Sequence, residues 1–256
     1  MKKLIVPALG VATAVVMTAC GGNTAEKKAD SVSTAATTPV AAAENTLTDT
    51  EKAEGWKLLF NGQNLDGWRM YQSKPADTWG VQDGLLHCTG SATDKSDKRG
   101  DLVTNDEYEN FEFSADWKLA PQGNSGILYL VSEEFPSSYQ SGPEYQLIDD
   151  NNFPEKLEDW QKTGGNYAMN PPLKNASKPI GEWNNTRIIV NKGHVEHWLN
   201  GEKVVEYELW NDEWKKHKSE GKWKDTPSYG SAKKGHIAFQ DHGSEIWFKN
   251  VKLKQL

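Results

Sequence analysis

Cysteine is almost missing from this chain: two in 256 residues, Cys20 and Cys88, which excludes a disulfide-stapled scaffold. Long apolar runs are missing too once the first twenty residues are passed. There is no Gly-x-Gly-x-x-Gly fingerprint and no strand–helix–strand alternation, so the chain has no means of holding a nicotinamide or flavin. Positive charge is not gathered into a stripe, and the net charge is −7, which argues against nucleic acid as a partner. No compact histidine–carboxylate spacing matches a zinc motif, and no Asp-rich loop of the EF-hand type occurs. No cofactor is required by the sequence. A divalent metal stays open only if Glu144, His197 and His242 converge in space.

What is present begins with an export signal. Lys2 and Lys3 precede an apolar stretch from Leu4 to Val16, broken by Pro7, Gly10 and Thr13, and then Met17-Thr18-Ala19-Cys20. A retained membrane span needs about 20 apolar residues, more than this stretch offers. The cysteine after Ala19 resembles a lipobox, with Met17 where leucine is commoner. Residues 1–19 are therefore expected to be a cleaved signal peptide and Cys20 the lipidated first residue of the mature chain. Gly21, rather than Asp, follows it, which resembles sorting to the outer membrane; no residue reads out the leaflet, and a periplasm-facing location is the expectation. Residues 20–54 are dominated by Ala, Thr, Ser, Glu and Lys without one aromatic, and are expected to be a disordered tether. Cys88 is left without a partner, and in Leu85-Leu86-His87-Cys88-Thr89 it is expected to be a small buried side chain.

Aromatics start at Trp56, and residues 55–256 carry all 11 tryptophans, most of them expected in a core. The rhythm is that of short strands. Arg187–Val190, His194–Leu199 and Lys203–Tyr207 are separated by Asn191-Lys192-Gly193 and by Asn200-Gly201, the latter a strong hairpin signal. Asp83-Gly84 marks a second hairpin. Phe111–Leu119 and Ile127–Ser132 suggest a central pair, and His236–Gln240 and Glu245–Leu253 close the chain. The region Trp210–Ser231 suggests one short helical insertion. Many evenly spaced short strands imply an all-β sandwich or barrel.

Several motifs, weak singly, occur in a specific order. Leu58-Leu59-Phe60-Asn61-Gly62-Gln63-Asn64-Leu65-Asp66-Gly67-Trp68 opens the set. Gly123-Asn124-Ser125-Gly126-Ile127, Glu144-Tyr145-Gln146 with Asp149 beyond, His197-Trp198-Leu199-Asn200-Gly201, and Gly235 through Gly243 follow. Together they resemble the 3-keto-disaccharide hydrolase family, also described as a 3-keto-glucoside 1,2-lyase and 3-keto-2-hydroxyglucal hydratase domain, over Trp56 to Leu256. The resemblance implies a concanavalin A-like jelly roll. It also implies cleavage of an oxidised (3-keto) glucoside or disaccharide, the ketone being supplied by a separate sugar 3-dehydrogenase. In that reaction the C2 hydrogen is acidic because it lies α to the ketone. A base removes it, the glycosidic oxygen leaves C1, and water adds to the glucal.

Such chemistry needs a base, an acid for the leaving oxygen, and donors for the enolate. Glu144 and Gln146, two apart in a strand, share a face, which suits a base and a donor if that face is open, or two solvated side chains if it is an outer wall. His197, flanked in parity by Val195 and Leu199, is either an acid–base imidazole or a hydrogen-bonded core residue. His242 sits in a turn with access to ligand. Asn124, Gln240 and Tyr167 are candidates for sugar contact, and Asp149 either binds a hydroxyl or caps its turn. Two other functions fit the same pattern: a non-catalytic carbohydrate-binding lipoprotein, and an ordinary glycosidase. The glycosidase needs two carboxylates about 5–10 Å apart, for which Glu144 and Asp149 are a poor pair because their parity differs.

Overall fold

The computed structural model describes residues 43–90 and 98–256. The signal segment, Cys20 and most of the expected tether lie outside the described residues. Among the described residues, thirteen strands form two antiparallel sheets. The larger runs, in spatial order, β11 (Glu202–Glu208), β10 (His194–Leu199), β9 (Asn184–Asn191), β6 (Phe111–Leu119), β13 (Ile246–Gln255), β4 (Leu85–Cys88) and β3 (Trp79–Gln82), with β1 (Lys57–Leu58) also on β13. The smaller runs β2 (Trp68–Met70), β5 (Leu102–Thr104), β12 (His236–Phe239), β7 (Asn124–Val131) and β8 (Glu144–Ile148). This is the expected jelly-roll sandwich. The expected helical insertion is α2 (Asp212–Glu220), opened by the Asn211 side chain accepting from the Trp214 amide.

Turn chemistry sets the registers. Asp83 and Gly84 have φ of 52° and 78°, and Asn200 and Gly201 have 51° and 83°, the two positive values a tight hairpin turn demands. Strand β10 then alternates half-exposed and buried residues along its length. Its inner side chains, Val195, His197 and Leu199, meet Tyr145 and Leu147 of β8 and Ile127 and Tyr129 of β7 in one core. Phe239 of β12 stacks on Phe248 of β13 at 4.1 Å between ring centroids, joining the sheets. Cys88 is buried there, as expected, and burial pushes its thiol up to about 12.

Three expectations need correction. Phe111–Leu119 and the strand beginning at Asn124 are not a pair: β6 is central in the large sheet and β7 lies in the small one. The tether does not reach Glu54. Helix α1 (Asp49–Ala53) is closed by a Thr48–Glu51 capping box, and Asn45 exchanges hydrogen bonds of 2.8 and 2.9 Å with Asn250. Asn250 has φ of 52° at a register shift in β13, and this bulge turns its side chain outward to receive the incoming chain. Finally, only five tryptophans are buried: Trp68, Trp79, Trp117, Trp214 and Trp223. Trp56, Trp183, Trp198 and Trp247 are half-buried beneath lysine or arginine side chains.

Candidate active site

Strand pairing decides which side chains meet. On β7 and β8, Glu144 lies opposite Leu128, Gln146 opposite Gly126, and Ile148 opposite Asn124, so all six share one face of the small sheet. Tyr145 and Leu147 go to the core on the other face. Ala238 of β12 faces Leu128, and Val103 of β5 faces Ala238, which brings Gln240 and Asp101 to that same face by parity. Loops rise around it and enclose a cavity of about 730 Å³. Glu144, Gln146, Asn124, Gln240, Tyr167 and His242 all line this space.

Glu144 is 5 % exposed, and among the described residues no group donates a hydrogen bond to its carboxyl. Burial pushes the carboxyl up to about 8, the negative charge of Asp101 adds to this, and Lys222 opposes it. The carboxyl fits because its neighbour on β7 has no side chain. A Cβ on Gly126 would stand 2.4 Å from Glu144 Oε1 and 2.9 Å from both Cδ and Cγ. Gly126→Ala is therefore expected to swing the carboxyl off its position and lower kcat/KM by about 10- to 100-fold, with the unfolding transition still cooperative. A variant with unchanged kinetics would show that the position of this carboxyl is immaterial.

Two more groups are unsatisfied in the same wall. Among the described residues, Gln146 Oε1 and Gln240 Oε1 are buried without a donor, and the Gln146 amide reaches only Asn124 Oδ1, at 3.4 Å. Buried acceptors without partners are costly and rare. Beside a cavity, they are ready to take hydroxyl donors from a ligand.

The edge of β8 is covered by the segment 164–167. Gly164 donates to the Gln146 carbonyl at 2.9 Å, Gln146 to the Gly165 carbonyl at 3.0 Å, and Tyr167 to the Glu144 carbonyl at 3.0 Å. Tyr167 is thereby fixed beside the cavity, where Lys222 Nζ donates to its hydroxyl at 3.1 Å. Trp223 follows on the wall, stacked on Tyr229 at 4.2 Å. His242 is exposed at one side. Partial desolvation lowers its imidazole below the usual range, and Arg99 and Lys222 add to this.

Sequence reasoning missed Asp101, Asp241, Arg99, Lys222 and Trp223, all on the cavity wall. Asp241 stood next to His242 in a motif already singled out. Asp101 lies two residues before Val103, a parity relation that means nothing until the partner strands are known.

His197 is not at the site. It is fully buried in the sandwich core, on the opposite side of the small sheet from Glu144. Its Nδ1 lies 2.9 Å from the Gly164 carbonyl, which can only accept, so Nδ1 carries the proton and Nε2 accepts from the Tyr129 hydroxyl at 2.8 Å. Burial lowers the imidazole to about 4, and the ring is neutral. Asp149 also turns away. Its carboxylate accepts from the amides of Gln122, Asn151 and Asn152 at 3.0, 3.3 and 3.1 Å. Burial raises it, but these donors outweigh burial and hold it below the usual range. It caps its turn.

Glu144, His197 and His242 accordingly do not converge on a metal. Among the described residues, the cluster with suitable spacing is His194, Glu196 and Glu206, on the outer face of the large sheet. There Lys203 supplies the counter-charge, with its Nζ 2.7 Å from Glu206 and 3.4 Å from Glu196.

Comparison with known proteins agrees with the fold. The 3-keto-alpha-glucoside-1,2-lyase-like domain matches residues 55–254. A 3-keto-disaccharide hydrolase of Bacteroides thetaiotaomicron is 32% identical over 289 aligned positions, covering 100% of both chains. A Parabacteroides distasonis structure assigned as a glycosyl hydrolase is 46% identical with a TM-score of 0.77, covering 84% of this chain and 100% of that one. A second structure from the same organism, likewise assigned, is 26% identical with a TM-score of 0.60, covering 78% and 99%. The chain belongs to the 3-keto-alpha-glucoside-1,2-lyase-like domain family.

Proposed function

We propose that this domain cleaves 3-keto-glucosides by taking the proton from C2 and expelling the glycosidic oxygen from C1, with water then adding to the glucal to give net hydrolysis. The observation that carries this is Glu144: a buried carboxyl on a cavity wall, free of donors among the described residues and raised to about 8. A more basic carboxylate takes a hydrogen α to a ketone faster. Desolvation makes this one several powers of ten more basic while leaving about a tenth of it ionised at neutral pH. The Gln146 amide, on the same face, is the donor for the enolate oxygen. Asn124, Tyr167 and Gln240 contact sugar hydroxyls or ring faces, and His242 closes the rim.

The ketone comes from a separate sugar 3-dehydrogenase, since the sequence has no dinucleotide fingerprint. The signal pattern and Cys20 favour a lipid-anchored protein of the outer membrane, facing the periplasm. Incubation with a 3-keto-glucoside and its unoxidised parent in deuterated water tests the mechanism. Deuterium at C2 of the product, and turnover of the ketone alone, are expected. Turnover of the parent sugar without label would make the protein an ordinary glycosidase.

A further inference from the structure

We propose that Asp101 is the second proton-transfer group of this site: it protonates the departing glycosidic oxygen and then accepts the proton of the water that adds to C1. This rests on the elimination reading above. An alkoxide is a poor leaving group, so cleavage of an alkyl glucoside needs an acid as well as a base. The two histidines suggested by the sequence do not supply it. His197 is in the core, and desolvation together with the cations Arg99 and Lys222 disfavours the His242 imidazolium, outweighing its own backbone and the Asp241 carboxylate. Lys222 donates to the Tyr167 hydroxyl, and burial pushes the Tyr71 hydroxyl up to about 12.

Asp101 is differently placed. It sits one residue before β5, on the cavity face shared with Glu144, and lines the same cavity. Its carboxyl is fixed from two sides. The Asp241 amide donates to Oδ1 at 2.9 Å, and the Ser138 hydroxyl donates to Oδ2. A carboxylate offers about four acceptor sites, so one on each oxygen stays open. Burial raises this group to about 6, against those two donors, and its charge is felt by Glu144. Two carboxyls that repel each other across one cavity do not both ionise readily, so the pair holds one proton through the neutral range. Between about 6 and 8 that proton rests mainly on Glu144, and the reactive form is the minor one in which it has passed to Asp101, leaving Glu144 as base and Asp101 as acid.

The balance closes over a full cycle. Ionised Glu144 takes the C2 proton, the C–H electron pair becomes the C1–C2 double bond, and the C1–O bond breaks with its pair on oxygen. Asp101 protonates that oxygen, and the alcohol leaves. The site now holds Glu144 protonated and Asp101 ionised. Water attacks C1 and gives a proton to Asp101, while Glu144 returns its proton to C2. The starting state is restored without any other reactant.

The test uses the full-length protein and two substrates, methyl and 4-nitrophenyl 3-keto-glucosides, whose leaving groups do and do not need an acid. Asp101→Asn is expected to lower kcat/KM about a thousandfold for the methyl substrate and less than about tenfold for the 4-nitrophenyl one. Solvent deuterium should still enter C2 of the methyl substrate, faster than it is cleaved. Equal losses on both substrates, or no loss, would overturn the assignment. Should the variant not fold, the wild-type pH profiles decide. An alkaline fall in rate is expected for the methyl substrate and not for the nitrophenyl one, and identical profiles refute the role. Glu144→Gln separates the two claims. If it retains C2 exchange, the base reading fails whatever Asp101 does.

Discussion

Replacement of Glu144 by glutamine is expected to remove both C2 deuterium exchange and cleavage, with kcat/KM falling roughly a thousandfold or more. The side chains are nearly isosteric, so the space under Gly126 is still filled and the β7–β8 register is unchanged. Only the base is lost. In the wild type, the fraction of ionised Glu144 rises with pH up to about 8, so kcat/KM for the 4-nitrophenyl substrate, which needs no acid, should climb with pH and level off near that value. Exchange that persists in the variant with a wild-type pH profile would move the base elsewhere.

The same substitution should stabilise the fold, and the sign follows from proton linkage. Glu144 moves from 4.5 to about 8 on folding, so the folded state favours its neutral form. Its contribution is intact below about 4.5 and is lost as pH rises through about 8. At about 1.4 kcal/mol per pK unit, ionised Glu144 costs the fold on the order of 5 kcal/mol. Glutamine carries no such cost. The variant should match the wild type in thermal unfolding at pH 4 and exceed it by roughly 10 °C at pH 9. A gap of the same size at both pH values would show that ordinary packing, and not ionisation, separates them. Stability surrendered at one residue is what an unpaired base in a desolvated wall requires.

Much of this site could be read from spacing alone, because strands impose a period of two. Glu144 and Gln146 share a face in any strand that contains them, and Asn200-Gly201 and Asp83-Gly84 fix hairpins through local φ demands. What period two cannot supply is which strand lies beside which. Nothing local states that β6 and β7 belong to different sheets, or that Asp101 reaches the face of Glu144 through β12 and β7. The boundary of the tether was hidden for the same reason. Asn45 is held by Asn250, 205 residues away, and composition near Asn45 gives no hint of it. His197 shows the limit most plainly: its parity placed it among apolar neighbours, and a histidine in that setting fits either a core or a cleft.

That ambiguity gives the second large effect. His197→Ala is expected to destabilise the protein by about 3 kcal/mol, read as a lower urea midpoint. It leaves a void among Tyr129, Tyr145 and Tyr207 and strips the Gly164 carbonyl of its donor. Activity per folded molecule should fall far less than in Glu144→Gln, by about tenfold or below. What remains is indirect: Gly164 is bonded to Gln146, so loosening its carbonyl loosens the edge of β8. Acid sensitivity should change as well. The imidazole drops from 6.5 to about 4 on folding, so its contribution is present above 6.5 and lost as pH falls through about 4. The wild type should therefore lose stability between pH 6.5 and 4 more steeply than the alanine variant. A variant with a wild-type urea midpoint and a thousandfold lower kcat would return His197 to the chemistry, because a ring that only fills and fastens a core cannot fail in that way.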